Sequence, residues 1–335
     1  MSNNDTEIKN TNGMNGLIKS YGLKFNKYQL SHRRLGFIVA IIKKYSQDQV
    51  GNQTALVTYY GFLALFPLLV AALSITEISI LRNANLKITI IKSLNIYFPL
   101  VGHWLQSHIH AEKKAGATLA ISLLLIVYGA RGVASALQQA MNHIWQVPKS
   151  ERPSGLKSII RSFEIIILGG LGFIATGFMS AYVTGSAKNI FIKIITTIVS
   201  LMITFIFLLL LYKLSLSKII AYKELIIGSI MATIGLQIIQ FAGGFLITHE
   251  LKHFSSLYGS LALVLVVLFW IYLQVRILLY ATEVDSVISL KLWPRSLVND
   301  SLTNADRRAL TMYIEREAYI KPPAEEVDVT FKSKD

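Results

Sequence analysis

IFIKIITTIVSLMITFIFLLLLY (190–212) carries a single charge, Lys193, in 23 residues. A helix rising ~1.5 Å per residue needs ~20 residues to cross ~30 Å of hydrocarbon, so this run has the length and composition of a membrane span. Five more runs of the same character occupy about 54–76, 116–138, 159–184, 224–248 and 259–283. Inside a bilayer every backbone N–H and C=O must be satisfied within its own segment or within a closed barrel, and these runs lack the alternating pattern of barrel strands. The expected fold is therefore all-α: a polytopic membrane protein built as a six-transmembrane-helix bundle, with short interfacial amphipathic helices at its edges.

Composition agrees. Apolar residues make up 53% of the 335 and charged residues 16%, and the mean hydropathy is +0.50, as suits a bundle whose outer surface meets lipid. The net charge of +14 does not point to nucleic acid, because the basic residues are spread over ends and loops without forming a groove or helix stripe. The absence of cysteine excludes disulfides, thiolate metal sites and a cysteine nucleophile. The first 30 residues show no short apolar core behind basic residues, so the first span is expected to direct insertion itself.

Lys and Arg set the orientation. Over six crossings, 22 fall on the side that holds both termini and seven on the other, namely Arg82, Lys87, Lys92, Lys113, Lys114, Lys188 and Lys252. Both termini are expected in the cytoplasm of a bacterial cell whose inner membrane the chain crosses several times. The chain then divides into a polar N-terminal tail (1–30), a six-helix membrane domain (31–290) and a charged cytoplasmic tail (291–335). Within 33–50, Leu35, Ile38, Val39 and Ile42 recur at helical spacing between Arg33-Arg34 and Lys43-Lys44, which predicts an entry helix lying in the headgroup plane. The loop 77–115 reads as two short amphipathic pieces broken at Pro99. In the tail, a helix is expected over 303–319, with disorder beyond it.

Charges inside spans are the first candidates for function, since each is costly in hydrocarbon unless paired or hydrated. Arg131, Arg161, Glu164 and Arg276 all fall in the cytoplasmic third. Two readings stand: arginines snorkelling to the headgroups with Glu164 neutralising one of them, or a polar cavity open to the cytoplasm, extended by Gln274, Gln237 and Gln240. Either way Glu164 is expected beside Arg131 or Arg276. Gly177, Ala181 and Gly185 form a close-packing seam, Gly169-Gly170-Leu171-Gly172 serves close helix contact, and Pro67 is expected to kink the first span.

His249-Glu250-Leu251-Lys252-His253 matches H-E-x-x-H, which on one helix face holds zinc with the glutamate as base. The match lies where a span meets an external turn, so a helix through both histidines is not expected and His249 and His253 are not assigned a metal. No cofactor is expected, and no phosphate-binding or nucleophile-elbow motif is present.

Three segments resemble the YihY/BrkB family of bacterial inner-membrane proteins, formerly labelled ribonuclease BN. ALVTYYGFLALFPLLV (55–70) carries Tyr59, Tyr60, Phe66 and Pro67; ALQQAMNHIWQV (136–147) carries Asn142 and Trp145; SSLYGSLALVLVVLFWIYLQVRILLYATEV (255–284) carries Tyr258, Gly259, Ser260, Trp270, Tyr272 and Glu283. The likeness covers about 30–290. The chain departs from the pattern in lacking a proline around 212–215, in having Ala281-Thr282 where a glycine precedes the final acidic residue, and in placing Gln274 and Arg276 where small or apolar residues are usual. The resemblance implies a membrane protein with transport or envelope-lipid roles and lends the nuclease label no clustered cytoplasmic carboxylates or histidines. The resulting expectation is a non-enzymatic protein that moves or positions a lipid or small anionic amphiphile, with membrane lipids, a second copy or envelope proteins as partners and no nucleic acid. A scaffold for envelope assembly and a metal-dependent hydrolase through His249, Glu250 and His253 are the alternatives.

Overall fold

The computed structural model describes residues 24–77, 115–186, 190–249, 260–297, 302–319 and 329–330. Every regular element among them is helical. A short helical stretch over 24–31 precedes α1 (Arg33–Gln47). Six long helices follow: α2 (Val50–Glu77), α3 (Ala115–Ile144), α4 (Gly155–Ser186), α5 (Ile190–Ser215), α6 (Ile226–His249) and α7 (Ser260–Ser289). One more helix, α8 (Asn304–Arg316), follows among the described residues. Among the described residues, Ile194–Ser215, Ile226–Gly243 and Val264–Ser289 are long and apolar enough to cross a bilayer. The loop pieces expected over 77–115 lie outside the described residues, as does His253.

Sequence neighbours pack side by side from α2 to α7, and α7 returns to pack on α2, closing the ring. The core inside it is apolar and dense: Val57 and Leu65 from α2, Ala134 and Met141 from α3, Leu208 and Tyr212 from α5, Ala232 from α6, Ile271 and Leu279 from α7. Large apolar side chains also cover the outside. Leu124, Ile167, Ile238 and Phe241 are all more than 60% exposed, a surface that lipid rather than water would cover. Pro67 lies inside α2, which runs as one element.

Small residues set how closely the helices approach. A methyl group on Gly129 would come within 2.9 Å of the Ala64 Cα, and one on Gly132 would overlap the Tyr60 ring. Gly172 is seated against Phe207 in the same way, whereas Gly169 and Gly170 face open space, so only one glycine of the 169–172 run makes the expected close contact. The side chains of Gly177, Ala181 and Gly185 lie outside the described residues. These geometries give a paired prediction. Gly129→Ala should destabilise the bundle by about 1–3 kcal/mol, because backbone cannot swing aside, while Gly170→Ala should be neutral or stabilise by up to ~1 kcal/mol through helix propensity. Thermal melts of the detergent-solubilised variants check this; equal effects at the two positions would contradict the packing.

The entry helix forms as expected, and its apolar side faces outward: Leu35, Ile38 and Ile42 are exposed, while Gly36, Ala40 and Lys44 are buried. Both end segments pack on the body of the protein, and the helix expected over 303–319 is present as α8. Within the segment read as a polar N-terminal tail, Asn26 and Gln29 are buried, with Asn26 Nδ2 donating to Ser296 Oγ (3.0 Å) and Gln29 Nε2 to the Arg295 carbonyl (2.9 Å). The C-terminal tail is docked by α8, whose Ala305, Asp306 and Ala309 are buried. Both ends therefore join the body of the protein through polar contacts that hydropathy does not register.

Candidate functional site

The ends of α3, α5 and α7 and the starts of α2, α4 and α6 gather at one end of the bundle, and the ion pairs among the described residues lie there. At its centre sits Lys44. Its ammonium donates to Asp48 Oδ2 (2.5 Å), the Ile144 carbonyl (2.7 Å) and Glu283 Oε2 (2.8 Å), and all three side chains are fully buried. Asp48 Oδ1 also accepts from Gln146 Nε2 (2.8 Å) and from Arg316 Nη1 (3.1 Å). Arg316 donates to Gln146 Oε1 as well (3.1 Å). Two cations meet two carboxylates, so the cluster is neutral as a whole and joins α1, the end of α3, α7 and α8. Burial alone would lower the Lys44 pKa; the Glu283 and Asp48 carboxylates outweigh it and hold the ammonium above its ordinary value. The Glu283 Oε1 atom is buried with no protein partner.

A second cluster fastens α8. Asp306 Oδ1 accepts from Lys43 (3.0 Å) and Arg295 Nε (3.1 Å), and Oδ2 accepts from the Ser296 N–H (2.8 Å). Thr303 and Asp306 form a reciprocal capping box at the helix start. Desolvation would raise the Asp306 pKa, but the Ser296 N–H, Thr303 and Lys43 bring it below the ordinary 3.8. A depressed carboxyl contributes stability that is present above its unfolded value and lost as pH falls through its folded one. Docking of α8 should accordingly hold above about pH 4 and loosen in stronger acid. Cleavage of α8 by an acid-active protease, followed against pH, checks this; a cleavage rate flat from pH 5 to pH 2.5 would contradict it.

The candidates picked from the spans do not converge. Arg131 and Glu164 are exposed. Arg161 donates through Nε to the Leu214 carbonyl (2.9 Å) and through Nη2 to that of Leu216, so it satisfies open carbonyls at the end of α5. The expected pairing of Glu164 with Arg131 or Arg276 does not form: among the described residues Glu164 makes no ion pair, and the nearest basic group whose charge it influences is Arg161, one turn earlier. Gln237 is exposed, while Gln240 and Gln274 are half-buried.

Arg276 lies among aromatic rings instead. Its guanidinium carbon is 5.5 Å from the Tyr280 ring centre, 5.8 Å from Tyr272 and 5.9 Å from Tyr45. Tyr45 and Tyr280 stack on each other, 4.3 Å apart and 3° from parallel. Ring faces attract a cation by about 0.5–1 kcal/mol each at partly open sites and leave its charge intact. Among the described residues no carboxylate lies within ion-pair distance of this arginine. Chemically, the site is a planar, charged donor set among tyrosine rings, without an ion-pair partner among the described residues.

Of the residues that carried the sequence resemblance, Asn142 and Trp145 are buried at the end of α3, and Asn142 Oδ1 accepts from the Ser217 N–H (2.8 Å). Tyr60 packs on Gly132, Tyr59 is exposed, Ser260 opens α7, and Tyr258 and Gly259 lie outside the described residues. Of the histidine motif, His249 is the last described residue of α6, and 250–253 lie outside the described residues. Among the described residues no three His, Asp or Glu side chains gather as metal ligands. Sequence reading had missed Lys44 and Asp48, although their i,i+4 spacing beside an acidic residue closing the last span was a usable signal.

The model of a family described as "Virulence factor BrkB" matches residues 41–299. A UPF0761 membrane protein of Alcanivorax borkumensis is 22% identical over 256 residues, 74% of this chain and 59% of that protein. One from a Psychrobacter species is 23% identical over 271 residues, 77% of this chain and 49% of that protein. The chain thus spans about half to three-fifths of the length of these two relatives. A Bacillus subtilis protein named as ribonuclease-like, YfkH, is 20% identical over 273 residues, 76% of this chain and 95% of its own length. No solved structure matches.

Proposed function

The chain is a membrane protein belonging to the BrkB family, and we propose that it crosses the bacterial inner membrane six times, with both termini in the cytoplasm, and moves or positions an anionic amphiphile without catalysing a reaction. The observation that carries this reading is Arg276, a permanent cation on a membrane-length helix, held by three tyrosine rings and with no carboxylate within ion-pair distance among the described residues. Such a cation is costly in hydrocarbon unless an anion accompanies it, and a lipid phosphate is the anion most abundant at that boundary. The apolar outer surface and the split of 22 basic residues against seven support the six crossings and the orientation. The test is flux of anionic and zwitterionic lipid analogues in proteoliposomes, wild type against Arg276→Gln. Equal flux by the two proteins would remove Arg276 from the function.

A scaffold for envelope assembly is the second reading. The neutral cluster around Lys44 and the filled apolar core favour it, since both suit a rigid body better than an alternating one. Full rescue of a cell-envelope phenotype by Arg276→Gln, with its lipid flux abolished, would favour the scaffold.

A further inference from the structure

We propose that a separate pocket beside Trp293 binds the phosphate headgroup of an anionic phospholipid, on the side of the membrane that holds both chain termini. The pocket, of about 340 Å³, is lined by Lys291, Trp293, Pro294, Thr303, Asn304, Ala305 and Arg308. Lys291 and Arg308 are exposed, and among the described residues neither forms an ion pair. Asp306, beside the pocket at the start of α8, is already paired with Lys43 and Arg295. Two cations that form no ion pair among the described residues therefore line one cavity, which suits a phosphate.

What lies beside the pocket argues for a lipid. The Arg33 guanidinium sits over Trp293 at 5.1 Å, Phe37 meets the same ring edge-on at 5.8 Å, and Gly36 is packed against Pro294. These contacts bring α1 against the pocket wall, and the outward side of α1 is the exposed row Leu35, Ile38 and Ile42. A tryptophan flanked by arginine marks headgroup depth, and an amphipathic helix lying there puts acyl chains next to the cations. A phosphate on an apolar chain satisfies both parts; a soluble phosphate ester satisfies only the first.

The experiment counts lipid retained by the full-length protein, delipidated in detergent and then supplied with phosphatidylglycerol or phosphatidylcholine, by native mass spectrometry. Wild type should retain phosphatidylglycerol in preference to phosphatidylcholine. Lys291→Gln/Arg308→Gln should weaken phosphatidylglycerol retention about tenfold or more, the effect of losing charge-assisted hydrogen bonds, with an unchanged melting temperature. Lys218→Gln/Lys223→Gln, an exposed pair at the same end of the bundle, should retain it normally. No preference in wild type, or equal losses in the two double variants, would overturn the site, the latter by showing diffuse surface attraction. Displacement of the lipid by sn-glycerol 3-phosphate as readily as by phosphatidylglycerol would overturn the lipid assignment in favour of a soluble ester. The readout is retention and involves no flux, so this proposal and the role of Arg276 fail independently.

Discussion

Lys44→Met is expected to cost the folded protein about 3–5 kcal/mol, the penalty for removing one partner of a buried ion pair. The cost arises from what stays behind. Among the described residues, Glu283, whose second oxygen already lacks a partner, would lose its one cation, and Asp48 would keep Arg316 and Gln146. Lower abundance in membranes and a lower melting temperature in detergent are the measurements. Lys44→Met/Glu283→Gln should recover much of the loss, because the stranded charge goes with the cation and the two positions are coupled. A single variant as stable as wild type would mean that the cluster is hydrated and weak.

Arg276→Gln should behave in the opposite way, accumulating normally while losing about ten- to a hundredfold in anion-dependent flux, the range for charge-assisted contacts to phosphate. Normal accumulation is expected because no ion pair is broken by the change. Arg276→Lys separates charge from shape. Lysine keeps the charge but is compact and cannot lie flat against Tyr45, Tyr272 and Tyr280 or present a fork of donors, so flux should fall between wild type and the glutamine variant. Full activity in the lysine variant would reduce the site to a point charge, and a glutamine variant that fails to accumulate would assign Arg276 to stability.

The apolar runs in the sequence foretold where the long helices lie, because span length and hydropathy are local properties: 190–212 became part of α5, and 116–138 part of α3. The closed ring and the close approach at Gly129 were not legible, and the run 169–172 announced a close contact without saying that Gly172 makes it, since which glycine meets a neighbour depends on helix rotation. The candidate site divided in the same manner. Arg276 was visible as a charge where none belongs, but its tyrosines come from two helices far apart in sequence. Glu164 was misjudged because composition reports depth and not azimuth; its side chain is exposed, one turn from Arg161 and not against Arg131 or Arg276. Lys44 looked like an ordinary flanking lysine, and only the fold turns its side of α1 inward.

Lys44 and Glu283 are 239 residues apart, one before the first long helix and the other near the end of the last. While the chain is being made, the ammonium of Lys44 must therefore wait at the membrane surface with its final counter-ion still unsynthesised. The first and last parts of the polypeptide are joined only when the whole has been inserted, which makes the pair a completion signal. A ribosome stalled or a gene truncated before residue 283 would yield a product able to insert its early helices yet unable to bury Lys44, and the exposed polar end would mark that product for membrane proteases.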